Sequence, residues 1–461
     1  MAPPSVLRRR PIRALALAVA LAVPAAPSGA VLPRPDDRPS AARRTPVVAA
    51  VERVRGAVVN VAAEELVRYR EPSRGGSIGD LFGELFERPR YRKGYAVTSL
   101  GSGVIVAPEG WVLTNNHVVE RGARFRVGLL DGRELLAKVV GTDPSSDLAV
   151  LKLDTREKLP FATMGRSDDL LIGETVIAIG NPFGLSHTVT TGVVSAVHRN
   201  FKAGDRTLFD FVQTDASINP GNSGGALLDI EGRLIGVNTA ILGDRSAGIG
   251  FAIPIDRARR VAEDLIAHGE VREGYLGLTV DDLPARDGNG PGAKRGVVVT
   301  AVDPGSPGER AGVRKGDVVE AVQGFSPESA EEFRFRVRDL AIGAIARLEL
   351  LRGGGRQSVQ LTAVELSAAG VSDLVARRTG LTLGEERVQG GLLVVVRKVA
   401  RASPAGRLGL QPGDLVREVN STEVQTLAEF RKAAARARRS GQMVLLVQRG
   451  FAAERIPFDL D

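Results

Sequence analysis

The sequence predicts a mainly β protein: a long β domain carrying a serine set between glycines, followed by two copies of a smaller β module. Three observations predict it. From Val58 onward, short apolar or alternating runs recur between Gly-rich turns, which is the pattern of a sandwich or barrel. A helical period over Asp256–His268 interrupts those runs and then stops at Gly269. Beyond it, the run from Ser306-Pro307 to Asp317 returns as Ser403-Pro404 to Asp414, with both landmarks displaced by the same 97 residues. A period that long marks duplicated domains rather than a solenoid.

A chain of 461 residues holds two or three domains. It is 43% hydrophobic but only 4% aromatic, so its cores rest on Val, Leu, Ile and Ala. It has no cysteine, which excludes a disulfide framework, a thiolate metal site and a lipoprotein anchor. Residues 1–30 read as a secretory signal. Arg8, Arg9, Arg10 and Arg13 form a basic start, Ala14–Val23 is an apolar core too short for a spanning helix, and Ser28-Gly29-Ala30 offers a cleavage site. Without those four arginines the net charge falls from +8 to near +4. No basic patch interleaved with aromatics is present, so nucleic-acid binding is not favoured.

Val31–Thr45, rich in Pro, Arg, Asp and Ala, reads as a flexible leader. Pro46–Ala62 opens the folded part with a short helical period that passes into a strand around Val58–Val61. Tyr69–Tyr95 is a long insertion containing Pro72, Gly75, Gly76 and Gly79, and it holds the apolar cluster Leu81–Phe86. Strands are expected at Val97–Val106, Gly110–Leu113, Arg124–Leu130 and Leu135–Val140, the last two joined by the hairpin signal Asp131-Gly132. Further strands are expected at Leu148–Leu153, Thr175–Ile179, Val189–Val197, Phe209–Gln213, Gly225–Ile230, Leu234–Ala240 and Gly250–Ile253. On the helix Asp256–His268, Ala258, Val261, Ala262, Leu265 and Ile266 form one apolar stripe. Each copy of the repeat has an apolar strand before it (Gly296–Val302, Gly391–Val396) and a helical stretch after it, containing Phe333 and Phe430.

The chemistry centres on Gly221-Asn222-Ser223-Gly224-Gly225. Glycines on both sides of a serine let the backbone turn sharply and approach a ligand closely. A nucleophilic serine needs backbone N–H groups aimed at the oxyanion it creates, and a base elsewhere. Four histidines are available. His268 ends the helix, and His187 and His198 sit in strand-like sequence suited to structural roles. His117, in Trp111–Val119, lies where an apolar strand ends in a polar turn. Asp147 stands at the mouth of the apolar strand Leu148–Leu153, which gives the order His, Asp, Ser, one of several that build a catalytic triad. With no GxxxxGK[ST] loop, hydrolysis without ATP, metal or other cofactor is expected.

The runs TNNHVV, SSDLAVLKL and GNSGGALL, together with IAIGNPFGL (Ile177–Leu185) and GIGFAIP (Gly248–Pro254), resemble the HtrA/Deg family of trypsin-like serine proteases. Both copies of the repeat resemble PDZ domains, which bind C-terminal peptides by strand addition. The resemblance implies a signal peptide (1–30), a leader (31–45), a trypsin-like double β-barrel (46–268) and two PDZ domains (272–365 and 370–457). It implies His117 as general base, Asp147 as its orienting partner, Ser223 as nucleophile, and the N–H groups of Gly221 and Ser223 as the oxyanion hole. Asn222 stands where digestive enzymes carry Asp, so activation by a freshly cut N-terminus is not expected. The substrate pocket would involve Ile218 and Asn238–Gly250 and prefer small or medium aliphatic residues. In the first PDZ, Tyr275, Leu276, Gly277 and Leu278 would receive a terminal carboxylate and the last side chain. In the second, Thr379-Gly380-Leu381 has Thr for a large apolar residue, which suits assembly better than peptide binding. The insertion would be a regulatory loop reaching a neighbouring subunit.

The function so implied is a periplasmic, ATP-independent endopeptidase. It would degrade misfolded or damaged envelope proteins, be regulated by C-terminal peptides at the first PDZ, and form a homotrimer or larger homo-oligomer. Two other readings fit the same residues. One is a chaperone or peptide-binding scaffold with secondary or silent protease activity. The other is a signalling protease that cuts one membrane-bound regulator.

Overall fold

The structure is a computed structural model that describes residues 43–70, 91–181, 187–203, 206–239, 248–283, 296–388, 391–438 and 441–460. The secretory signal, the leader up to residue 42, and the insertion's apolar cluster Leu81–Phe86 lie outside these residues, as does 240–247 of the expected pocket segment.

Two closed barrels follow one another. The first is built from β1 (Val58–Arg70), β2 (Tyr91–Ala107), β3 (Trp111–Thr114), β4 (Arg124–Gly128), β5 (Glu134–Asp143) and β6 (Leu148–Leu153), in the order β1-β2-β3-β6-β5-β4. The second uses β7 (Thr175–Gly180), β8 (Thr188–Ala203), β9 (Arg206–Thr214), β10 (Ala226–Asp229), β11 (Leu234–Thr239) and β12 (Gly250–Pro254), in the order β10-β11-β12-β9-β8-β7. Val58, Val59 and Val61 in β1 and Leu148 and Leu151 in β6 are fully buried, as the runs of β-branched and aliphatic residues require. Each such side chain stabilises the barrel by roughly 1.5–3 kcal/mol. The ladder of β1 with β2 continues past the barrel, pairing Leu66 with Tyr95 and Arg70 with Tyr91. The expected strand Val97–Val106 is thus the inner end of a longer one.

Helix α1 (Pro46–Val54) buries Ala50 and Val54, and Gly232 of the second barrel leaves room for the Ala50 backbone, which a Cβ there would approach to 3.3 Å. A one-turn helix, α2 (Asn116–Val119), carries His117, where the sequence suggested only a polar turn. Helix α3 (Ile255–His268) ends at Gly269, which takes the left-handed conformation (φ 72°) of a helix C-cap. Its buried face comprises Ile255, Ala258, Val261, Ala262 and Leu265. Ile266, placed on the apolar stripe from its spacing, is instead 40% exposed. Leu265 and the Gly269 carbonyl press on Gly141 of β5, where a Cβ would come within 2.8 Å of both. The helix therefore ties the end of the second barrel back to the first.

The first PDZ domain is an antiparallel sheet ordered β13 (Leu278–Asp282), β14 (Val297–Val302), β15 (Val318–Val322), β16 (Ile345–Arg352) and β17 (Gly355–Thr362). It also has the short helix α4 (Pro307–Arg310) and α5 (Ala330–Arg338). The second begins with α6 (Ala368–Thr379) and repeats the sheet as β18 (Leu381–Val388), β19 (Gly391–Val399), β20 (Leu415–Val419), β22 (Gln442–Arg449) and β23 (Ala452–Asp459). There β21 (Thr422–Glu423) pairs with β20, and α7 (Pro404–Arg407) and α8 (Leu427–Ala437) match α4 and α5. Ser306 and Ser403 each cap a short helix through the hydroxyl. Phe333 and Phe430 are both buried at the centre of their modules. The duplication extends to one ion pair: Arg352 meets Asp317 at 2.6 and 2.7 Å, and Arg449 meets Asp414 at the same distances.

Candidate active site

The turn before β6 is built by side chains. The Ser145 and Ser146 hydroxyls both donate to the buried Asp143 carboxylate, at 2.7 and 2.5 Å. The turn then presents Asp147 with φ 54°, a left-handed conformation that Asp tolerates better than most residues. Its carbonyl accepts from the Asn116 N–H at 3.1 Å and from the Asn115 side chain at 3.0 Å, which fixes the start of α2 beside it. One carboxylate oxygen accepts the His117 N–H at 3.0 Å. The imidazole Nδ1 lies 3.0 and 2.8 Å from the two oxygens. A carboxylate is acceptor only, so Nδ1 carries the proton and Nε2 is left as a base. The Thr239 hydroxyl donates to the same carboxylate at 3.2 Å. Burial lowers the His117 pKa, but the hydrogen bond and charge of Asp147 outweigh it, and the net shift is upward from 6.5.

Ser223 arrives from the second barrel. Its loop closes on itself through Asn222 N–H to Asn219 C=O and Gly225 N–H to Asn222 C=O, both at 2.9 Å. Gly221 and Gly224 take φ 99° and 81°, open to glycine at no steric cost. At Gly224 a Cβ would lie 2.2 Å from the Ser102 carbonyl and 2.4 Å from the Thr114 hydroxyl, so glycine is required for the loop to reach the strand that leads to His117. Gly101 is flanked both by Val118, next to His117, and by the Ser223 carbonyl. His117, Asp147 and Ser223 are thereby gathered at the seam between the barrels. Asn222 is buried against Gly180, whose missing side chain makes its space. Ile218 packs on Gly250, where a Cβ would come within 3.0 Å of it, next to the second barrel's own core.

In the first PDZ, Leu276 is buried and its carbonyl accepts from Gly308 N–H at 2.8 Å. Gly277 has φ 73° and leaves room for Ser306, and Leu278 opens the edge strand β13. Tyr275 donates its hydroxyl to Asp303, and Arg438 of the second PDZ lies 5.2 Å from its ring centre. Only about 60 Å³ of space remains between β13 and α5, and Leu374, Arg378 and Leu460 of the second PDZ help to line it. Arg378 donates to the Thr279 hydroxyl at 2.6 Å, and Arg377 pairs with Asp303 at 3.1 Å. In the second PDZ, the Thr379 hydroxyl is turned inward, donating to Val375 C=O and accepting from Leu381 N–H.

A trypsin-like peptidase domain profile matches residues 101–237, and a PDZ domain profile matches 298–352 and 395–449. The chain is 39% identical over 395 residues to the periplasmic pH-dependent serine endoprotease DegQ of Escherichia coli, covering 84% of this chain and 85% of that one. The chain belongs to the HtrA/Deg family of serine endoproteases. It is also 39% identical over 341 residues to Escherichia coli DegP, a periplasmic serine endoprotease, covering 72% of this chain and 71% of DegP. Among solved structures it resembles the HtrA-type protease AlgW with decapeptide, at 38% identity and TM-score 0.51, covering 68% of this chain and 97% of AlgW. The protein is therefore a serine endopeptidase with two PDZ domains.

Sequence reasoning did not single out Thr239, nor the buried Ser102, Asn60 and Asn181 that surround the Ser223 loop in this HtrA protein. A hydroxyl or amide within a strand is ordinary in sequence. Only the closing of both barrels brings these residues, up to 179 positions apart from Asn60 to Thr239, onto one site.

Proposed function

We propose that His117, Asp147 and Ser223 form the catalytic triad of an ATP-independent endopeptidase that degrades unfolded envelope proteins. The observation that carries this reading is the two-oxygen contact of Asp147 with His117 Nδ1, which leaves Nε2 to act as base. His117 takes the proton from the Ser223 hydroxyl as the oxygen attacks the scissile carbonyl. The N–H groups of Gly221 and Ser223 hold the oxyanion. The imidazolium then gives its proton to the leaving amine, and water hydrolyses the acyl-enzyme by the same relay in reverse. Ile218, packed on Gly250, supports an apolar pocket and a preference for aliphatic residues before the cut.

The periplasmic names of the relatives support that compartment for this chain, reached through residues 1–30. Among the described residues, no helix is long and apolar enough to cross a membrane. The first PDZ would take C-terminal peptides on the edge of β13, beside Tyr275, Leu276, Gly277 and Leu278. The inward-turned Thr379 supports a role for the second PDZ in assembly of a homotrimer or larger oligomer.

The test is incubation of residues 31–461 with an unfolded protein and with its folded form, without ATP, beside Ser223→Ala. Cleavage of the unfolded form by the wild type alone is expected. Cleavage that survives Ser223→Ala, or a preference for Lys or Arg before the cut, would contradict the reading.

A further inference from the structure

Ser102 lies in β2 between two glycines, and it is fully buried. Each of its polar groups meets a different part of the candidate site. Its N–H donates to the Ser223 carbonyl at 2.8 Å, and its carbonyl accepts from the Thr114 hydroxyl at 2.7 Å. Its hydroxyl donates to the Gly221 carbonyl at 2.6 Å and accepts from the Asn181 N–H at 2.7 Å. A hydroxyl has one proton, so accepting from Asn181 directs that proton onto Gly221. Asn181 is gripped from its other side, where its carbonyl accepts from the Asn60 side chain at 3.0 Å.

We propose that the Ser102 hydroxyl is a positioning residue for the oxyanion hole. This rests on the reading of Gly221 and Ser223 as its donors. The loop holds three glycines, at 221, 224 and 225, and glycine leaves a left-handed conformation without steric cost, so the loop's own two hydrogen bonds hold it less firmly than bulkier residues would. Ser102 sits on a strand of the first barrel, whereas the loop belongs to the second. By holding the Gly221 carbonyl, the hydroxyl fixes one end of the peptide plane between Gly221 and Asn222, whose other end is held by the Asn222 N–H on the Asn219 carbonyl. The N–H groups of Gly221 and Ser223 flank that plane, and their direction follows from it. The Ser102 N–H on the Ser223 carbonyl anchors the far side of the same turn. Preorganised donors cost no reorganisation when the oxyanion forms, and loss of the anchor should appear in the transition state more than in the ground state.

The experiment compares wild type, Ser102→Ala, the slightly larger Ser102→Cys, whose thiol is a weak donor, and Ser223→Ala on a chromogenic peptide. Affinities for a peptide boronate, which mimics the oxyanion, and for the product peptide are measured alongside. Ser102→Ala is expected to lose about 10–100-fold in kcat, less than the roughly 10²–10³ lost when a donor itself is removed. KM and product affinity stay near wild type, boronate affinity falls with kcat, and the acid limb of the pH profile does not move. Ser102→Cys behaves likewise if Ser102→Ala does not fold. A kcat within twofold of wild type in a folded variant, equal losses for boronate and product, or failure of both variants to fold would overturn the proposal. Ser223→Ala stands apart from these outcomes: if it cleaves as the wild type does, the reading of the nucleophile fails, whatever Ser102 does.

Discussion

The His117 imidazole is drawn in two directions, and the balance sets a pH dependence. Burial favours the neutral ring, whereas the Asp147 hydrogen bond and charge favour the cation and prevail. In the proposed mechanism the neutral ring is the working base, so kcat/KM should rise with pH, with its midpoint above 6.5, and fall as the ring protonates below it. Asp147→Asn removes both dominant raising causes and leaves burial opposed only by the smaller effect of the Glu120 charge. The midpoint should then move below the wild-type value, while kcat drops by roughly 10⁴-fold. A pH–rate profile of the two proteins checks this, and an unmoved midpoint would contradict it. Thr239→Val removes one donor from the same carboxylate, an effect of about 1–2 kcal/mol, so kcat should fall about 5–30-fold in steady-state assays. The candidate site was legible in part. His117, Asp147 and Ser223 stand out because glycine, asparagine and serine cluster around them in short runs. Thr239 and Ser102 do not, because their partners are far away in sequence.

At the scale of elements, strands and repeats were legible where a local pattern repeats. The 97-residue offset marks two modules, and the same offset relates the pairs Asp317–Arg352 and Asp414–Arg449. The Arg352 hydrogen bond holds the Asp317 carboxyl below its ordinary value of 3.8. A carboxyl depressed in the folded state contributes stability in full above its unfolded pKa of about 3.9 and loses it as pH falls through the lower folded value. The contribution should therefore persist at neutral pH and fade only below about pH 4. Arg352→Ala leaves the buried Asp317 without this partner and should destabilise the first PDZ by roughly 1.5–3 kcal/mol in denaturant titrations at pH 7. Helix boundaries were also legible, since Gly269 caps α3 where the period stops. The exposure of Ile266 was not, because a helix packed against two barrels need not bury the whole of a stripe drawn from spacing alone.

At the scale of the whole molecule, the joins between domains had no local signal. His198, which reads as an ordinary strand residue, has φ 54° and bonds Asp210 at 2.5 Å, and its ring meets Phe325 of the first PDZ at 4.5 Å. The buried Arg257 binds the Asp210 carboxylate, lies 4.7 Å from the Phe335 ring centre and reaches Asp339 at 3.5 Å. Protease and first PDZ are thus joined by charge and aromatic contacts more than by a continuous apolar core. The second PDZ rests on the edge where the first would take a peptide, through Arg378 on Thr279. Arg378→Ala should loosen that cover and raise the affinity for peptides with apolar C-termini several-fold. Fluorescence anisotropy of a labelled peptide reads this, and an unchanged affinity would mean that the contact does not restrict the groove.

In the proposed mechanism Ser223 is made nucleophilic by His117. Mass spectrometry after reaction with a fluorophosphonate tests it most directly. One adduct is expected, on the peptide that contains Ser223, formed faster at pH 8 than at pH 5 and lost in His117→Ala. An adduct on another serine, or labelling of Ser223 that persists without His117, would contradict the account.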